Sequence, residues 1–230
     1  MRHLLFCLLG ATCLISNAHA LDATYYHIYE DVSKKNIDQF GLGHTFKNNI
    51  TIGWGVKAQA NERADGKPGT AFSNDKIYER IYKIKYKYPV TTRYEIAPEF
   101  EIADKNESNK YKTKITNSFK FNDKQKIFLK YRYEIVKYDD TKKEDKHVHL
   151  TELGATQSVD RFKFTYAYGY YHADAPIYNN KDSDYKHQFT VDYKLTKKIA
   201  PYIEIRNESL SSKSKQRQTV FETGVQYTFF

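Results

Sequence analysis

Three lysines stand two apart in the stretch KYKTK, as Lys110, Lys112 and Lys114, with Tyr111 and Thr113 between them. In an extended chain successive side chains point to opposite faces, so the three ammonium groups leave one face at about 7 Å intervals. A row of fixed cations performs no covalent chemistry. It stabilises anions, and a solute carrying carboxylates along its length could be handed from one cation to the next. The same alternation recurs elsewhere: Lys83, Lys85 and Lys87; Arg93 with Glu95, Glu99 and Glu101; Lys120; Lys126, Lys130 and Arg132 with Glu134; Lys163 and Lys194; and Arg206 between Glu204 and Glu208. The candidate lining set is Lys83, Lys85, Arg93, Lys110, Lys112, Lys114, Lys130, Arg132, Lys163 and Arg206. Interspersed glutamates predict tracks of positive charge, not a uniform cylinder.

Elements that present such a face must hide another. In RFKFTYAYGYY, Arg161 to Tyr171, an aromatic fills every second position from Phe162 to Tyr170. Tyr82, Ile84, Tyr86 and Tyr88 share a face in the same way, as do Tyr94, Ile96 and Phe100, and Phe189, Val191, Tyr193 and Leu195. Yet the chain is hydrophilic, with a mean hydropathy of −0.76, and its 21 Tyr and 14 Phe accompany one Met and one Trp. Such a composition favours strands and polar–apolar boundaries over a dry aliphatic core. The apolar medium facing those aromatics is therefore expected to be lipid.

Twelve period-two segments follow one another, at 23–32, 37–46, 50–60, 77–88, 92–102, 110–121, 126–138, 146–157, 161–171, 185–195, 200–209 and 218–230. Each has about the ten residues that a tilted strand needs to cross a bilayer. Tight turns (KNN, PVT, NDKQ, SVDR, TKKI) alternate with longer polar loops (SKKN, 61–76, ADKNESN, DDTKKED, 172–184, LSSKSKQR). Short turns on one rim and longer loops on the other predict an all-β, twelve-stranded antiparallel transmembrane barrel over residues 21–230. Twelve strands should leave a narrow pore. Aromatics beside the short turns, among them Phe119, Phe121, Phe162, Tyr193, Tyr227 and Phe229, predict an interfacial girdle.

The opening MRHLLFCLLGATCLISNAHA has a basic start, an apolar run and a small-x-small site at Ala18-His19-Ala20. It reads as a signal peptide, residues 1–20, cleaved after Ala20. Both cysteines, Cys7 and Cys13, fall inside it, so the exported chain is expected to carry no disulfide, thiolate metal site or cysteine nucleophile. The formal charge of +9 becomes +8 once Arg2 is removed.

From KYRYEIVKY (130–138) onward, and most clearly over 180–229, the sequence resembles the oligogalacturonate-specific porins, a family that includes sialic-acid channels. The pieces that carry it are YRYE, DYKH, PYIE and the S-x-S-x-x-RQT-x-F approach to the last strand. The resemblance implies a monomeric outer-membrane channel for acidic oligosaccharides, without cofactor, metal or enzymatic activity. It places Lys130 and Arg132 on matching basic positions and Arg217 before the final strand. The FETGVQYTFF ending resembles the signal read by the outer-membrane assembly machinery, with Phe229 in register with the aromatic face and Phe230 one residue beyond.

Other readings are weaker. His147 and His149 share a face but lack a third metal ligand in the sequence nearby. Ser118 and Ser158 sit by short turns while His172 lies at the opposite rim, which argues against a hydrolase. No nucleic-acid motif accompanies the basic charge. The rival reading is a structural or adhesive barrel that uses loops 61–76 and 172–184 as contact surfaces. Its lumen charges would be fully paired.

Overall fold

The computed structural model describes residues 18–61, 63, 66–73 and 75–230. Twelve long strands follow in chain order: β1 (Ala18–Glu30), β2 (Asn36–Phe46), β3 (Ile50–Ala60), β4 (Asp75–Tyr86), β5 (Tyr94–Lys105), β6 (Ser108–Lys120), β7 (Gln125–Tyr138), β8 (Lys146–Val159), β9 (Phe162–Ala173), β10 (Ser183–Tyr193), β11 (Ile199–Ser209) and β12 (Arg217–Thr228). A two-residue extension, Tyr88–Pro89, continues the line of β4 and pairs with Ile96 and Glu95. Each strand pairs antiparallel with the next in sequence, and β1 pairs with β12 from Asp22↔Thr228 to Glu30↔Val220. That last ladder closes the sheet into a barrel. Closure gives every one of the twelve strands a paired neighbour on both sides, the condition for crossing hydrocarbon with strands.

The alternation expected from the sequence sorts cleanly by face. On β9, Phe162, Tyr166, Tyr168 and Tyr170 are exposed on the outside, while Ala167 is buried inside. On β4, Tyr82, Ile84 and Tyr86 face outward, and on β12 Phe221 and Tyr227 do. Inside, small and aliphatic residues are buried together with an unusual number of carboxylates, including Glu79, Glu101, Glu134, Glu152, Glu204 and Glu222. The only apolar cluster among the described buried residues is small, Ile28, Ile37 and Val220, with Tyr26 and Tyr78 packed on it. This is an inside-out core: the aliphatic and aromatic surface meets the membrane, and the charged surface is enclosed.

Turn chemistry sets the two rims. Asn49 and Asp160 adopt positive φ, 65° and 50°, in the tight connections 47–49 and 160–161; Asn and Asp tolerate that region better than other side chains with a Cβ. Two connections differ from expectation. The ADKNESN stretch is not a long loop, because Asp104↔Asn109 and Lys105↔Ser108 extend the β5–β6 ladder to a turn at 106–107. Polar residues can continue a ladder above the hydrocarbon, where no apolar face is required. Conversely, the turn after the paired Tyr88–Pro89 runs over 90–93, past the end of PVT, and is braced by Thr91, whose Oγ1 accepts from the backbone of Arg93 and Tyr94.

Residues 1–17, most of the expected signal segment, lie outside the described residues. Ala18 and Ala20 pair with Phe46 and Thr45, with an irregularity between them, whereas the closing ladder to β12 starts at Asp22.

Face assignment carries a direct expectation. Val191 faces outward, while Thr190 turns inward and donates to Glu204 at 2.9 Å. Val191→Arg should reduce the folded, heat-shifted band on gels strongly, since a charge facing lipid costs about 2–4 kcal/mol at mid-depth. Thr190→Arg should assemble near the parental yield. Equal yields would place the register one residue out.

Candidate functional site

The lumen wall is built by the inward positions of the strands, and its charges fall into two populations. The first is a belt of ion pairs at mid-height. On β6, Lys112 reaches Glu101 at 2.6 Å, and Lys114 reaches Glu99 at 2.8 Å and Glu101 at 2.6 Å. Lys110 pairs with Glu134 at 3.2 Å, a carboxylate shared with Arg132 at 3.3 Å. Lys130 and Lys186 hold Glu152 from two sides, with Lys186 at 2.8 Å. Arg206 contacts Glu204, Glu208 and Glu222. Gln188 and Thr190 also donate to Glu204, and Tyr202 donates to Glu222 at 2.6 Å.

The expected Lys110–Lys114 row therefore exists on one wall, but it is not a free ladder. Each of the three is engaged by a carboxylate from a neighbouring strand. The reason is register: β6 lies between β5 and β7, with Lys112 opposite both Glu101 and Glu134, and Lys114 opposite both Glu99 and Arg132. Burying these ions is tolerable only because the charges are paired.

The second population has few or no ion-pair partners among the described residues. Lys83 and Lys85 on β4 stand opposite Glu101 and Glu99, but those carboxylates are taken from the other side by β6. Two carboxylates thus face four lysines, and the pair on β4 is left without an ion pair within 4.0 Å. Towards the short-turn rim, Lys120 and Lys126 are opposite each other in the β6–β7 register and likewise carry no ion pair. Lys163 makes one contact, to Asp192 at 3.0 Å, in an open cavity of about 340 Å³ that Lys194, Lys197 and Lys198 also line. Arg93, expected on the inner wall of β5, lies in the turn before it and is exposed. Thr91 Oγ1 accepts from the backbone of Arg93 and Tyr94 in that turn, and the strand begins at Tyr94, two residues later than the expected 92.

The space the free lysines face is shaped by glycine. Gly41, Gly43, Gly53 and Gly55 on β2 and β3 line a cavity of about 240 Å³ together with Asp22, Tyr26, Gln39, Lys83 and Gln226. The side chain of Lys83 lies across Gly53: a Cβ there would stand 2.4 Å from Lys83 Cε. Elsewhere the wall is filled. Phe128 projects inward over Gly154, where a Cβ would meet its ring at 2.3 Å and the Tyr166 carbonyl at 2.8 Å. Tyr171 lies 5.7 Å beneath the Arg132 guanidinium.

Sequence reading missed several of these participants. Glu79, held by Lys57 at 3.4 Å and Lys105 at 3.0 Å, is one; Glu152, Lys186, Glu222 and the glycine wall are others. The signal for the glycines was present as GLG and GWG, small residues alternating with Leu42 and Trp54. Arg217, carried only by resemblance, is a loop clamp. It donates to Asn207 at 2.6 Å and Asp184 at 2.7 Å, and its guanidinium stacks 4.0 Å over Tyr185 and 5.2 Å over Tyr178. It ties the loop 174–182 to β10, β11 and β12.

His147 and His149 turn outward, each bonded through Nδ1 to a tyrosine hydroxyl. No group of three His, Cys, Asp or Glu among the described residues is arranged to hold a metal.

Comparison with known proteins gives a consistent picture. Residues 14–229 match the family profile described as oligogalacturonate-specific porin protein. A protein of Salmonella typhimurium named "Uncharacterized protein YiiY" is 28% identical over 230 residues, covering 100% of this chain and 98% of its own. The oligogalacturonate-specific porin KdgM of Dickeya dadantii is 25% identical over 238 residues, covering 100% of both chains. Among solved structures, the NanC porin superposes with a TM-score of 0.73 at 14% identity, over 89% of this chain and 98% of that one.

Proposed function

Because the chain belongs to the oligogalacturonate-specific porin family, we propose that it passes acidic saccharides across the outer membrane by diffusion, drawn along the unpaired lysines of its lumen. The observation that carries this reading is the set Lys83, Lys85, Lys120 and Lys126, which has no ion-pair partner among the described residues, on walls where other lysines are neutralised. An unpaired ammonium in a confined aqueous path attracts a passing carboxylate by about 1 kcal/mol at bulk-water dielectric and by up to about 4 kcal/mol where water is partly excluded. The first figure assists passage; the second begins to hold the solute. The glycine lane beside Lys83 supplies room for a sugar ring.

The paired belt has a different part. Glu99, Glu101, Glu134 and Glu152 cancel the lysines around them, so they stiffen the wall and restrict the selective charge to one lane. A structural or adhesive barrel would need every lumen charge paired, which the four free lysines oppose. Oligogalacturonate is the first candidate solute on the family description, and other acidic sugars, sialic acid included, share its carboxylate chemistry. Cleavage after Ala20 fits this picture, since every β1–β12 closing pair survives removal of residues 1–20. One chain closes its own barrel, so the working form is proposed to be a monomer, inserted by the outer-membrane assembly machinery through its aromatic C-terminal strand.

Planar-bilayer recordings test the reading. Trigalacturonate added to one side should reduce chloride current in a concentration-dependent way, and a neutral trisaccharide of the same size should not. The difference should shrink between 0.1 M and 1 M salt, as the screening length falls from about 10 Å to about 3 Å. Equal effects of acidic and neutral sugars would overturn it.

A further inference from the structure

The outer surface of four adjacent strands, near the long-loop rim, carries a chemistry that the lumen does not use. Four histidines stand there: His147 and His149 on β8, His172 on β9 and His187 on β10. The register sets His149 beside His172, with Tyr133 on its other side, and places His187 four residues further from the rim, opposite Tyr168. They share this face with Leu153, Tyr166, Tyr168, Tyr170 and Tyr185, all exposed to the outside of the barrel. A barrel's outer face is apolar with aromatic girdles. Four imidazoles there call for a polar group in the membrane to meet them.

Three of the rings are held in one repeated way. Tyr131 bonds His149 Nδ1 at 2.7 Å, Tyr133 bonds His147 Nδ1 at 2.6 Å, and Tyr166 bonds His187 Nδ1 at 2.7 Å. With the hydroxyl donating, the neutral ring carries its proton on Nε2, which becomes a fixed donor. Among the described residues nothing accepts from Nε2 of His149 or His187. His147 Nε2 stands 4.0 Å from Asp174 and His172 Nδ1 stands 3.9 Å from Asp182, both carboxylates on the loop side. Cations flank the patch: Lys137 at the end of β7, 57% exposed and 4.0 Å from Asp145, and Arg217 over Tyr185. The rings do not converge as a metal set.

We infer that this patch binds the phosphorylated headgroup of a membrane lipid in the leaflet on the long-loop side. The donors face sideways into the bilayer, below the loops, which selects a lipid over a free ion. Phosphate offers several strong acceptor oxygens to the Nε2–H donors on β8 and β10 and to the His172 ring between them on β9, and the tyrosine rings provide a platform for the sugar or acyl portion beneath it. The site lies outside the barrel wall, so it is independent of what the lumen conducts.

The test uses the full chain in mild detergent, mixed with a phosphorylated glucosamine-disaccharide glycolipid or with its dephosphorylated form, and counts retained lipid by native mass spectrometry. The parental protein should retain the phosphorylated form at least about tenfold better, the ratio that one or two charge-assisted hydrogen bonds supply. The variant His149→Phe/His172→Phe/His187→Phe keeps three aromatic rings at the interface but removes their N–H donors. It should lose at least about fivefold of that retention, the order of one net hydrogen bond, with chloride conductance unchanged. Equal retention of both lipid forms by the parental protein, or parental retention by the triple variant, overturns the inference. Should the triple variant fail to assemble, His149→Phe and His187→Phe are measured singly; each must lower retention at least about twofold, and parental values in both overturn it.

Discussion

Changing Lys83, Lys85 and Lys126 together to Glu should convert the proposed anion selectivity into cation selectivity while leaving assembly intact. None of the three has a carboxylate within ion-pair distance, so none holds the wall together. The register partners of Lys83 and Lys85 are already occupied, Glu101 by Lys112 and Lys114 and Glu99 by Lys114, and Lys126 stands opposite Lys120 and Thr156. Reversal of three charges changes the local sum by six in a lane where water is confined, and the reversal potential in a salt gradient should change sign. Acidic-saccharide flux should fall at least about tenfold, the consequence of losing about 1.4 kcal/mol of favourable interaction per solute carboxylate. Persistent anion selectivity would show that the unpaired lysines are only solvated. A triple variant that fails to fold would show that they contribute to the wall after all.

The complementary change, Lys110, Lys112 and Lys114 to Glu, should give the opposite split. Here assembly is expected to fail before selectivity can be read. The substitution would set three new carboxylates against Glu99, Glu101 and Glu134, of which Glu101 and Glu134 are buried with 8% and 5% of their surface exposed. Removing one partner of a buried pair typically costs about 3–5 kcal/mol because the other charge is left uncompensated. Several such losses on adjacent strands exceed the margin by which a domain is stable. The heat-shifted band on unboiled gels should disappear. Combining the change with Glu99→Lys, Glu101→Lys, Glu134→Lys and Arg132→Glu, since Arg132 shares Glu134, restores opposite signs in every pair and should recover a substantial part of the folded band. A folded, cation-selective Lys→Glu variant without that compensation would return the selective role to the β6 row.

These two expectations separate what is local in the chain from what is not. The aromatic face of RFKFTYAYGYY, the spacing of the twelve segments and the alternation of short and long connections were legible in the sequence, because side-chain direction in a strand has a fixed period of two. That period assigns each residue to the lipid or to the lumen without knowledge of its neighbours. It placed Lys83, Lys110, Lys112, Lys114, Lys130, Arg132 and Arg206 on the inner wall, where they stand. It was less secure at strand ends, where Arg93 fell into a turn and the β5–β6 loop became a tight turn, since beyond the hydrocarbon nothing forces alternation.

Which of those inner charges remain free was decided by the tertiary structure alone. Lys83 and Lys112 look alike in sequence, each in a row of lysines two apart. They differ because Glu99 and Glu101 on β5 each stand opposite a lysine on both sides, Lys85 and Lys83 on β4 and Lys114 and Lys112 on β6, and their side chains bond those of β6. The same holds on the outside, where His149 and His172 are far apart in the chain and meet only through the β8–β9 ladder. Alternation is a property of one strand. Charge neutralisation and site assembly depend on distances between strands, and those follow from the pairing register that barrel closure imposes.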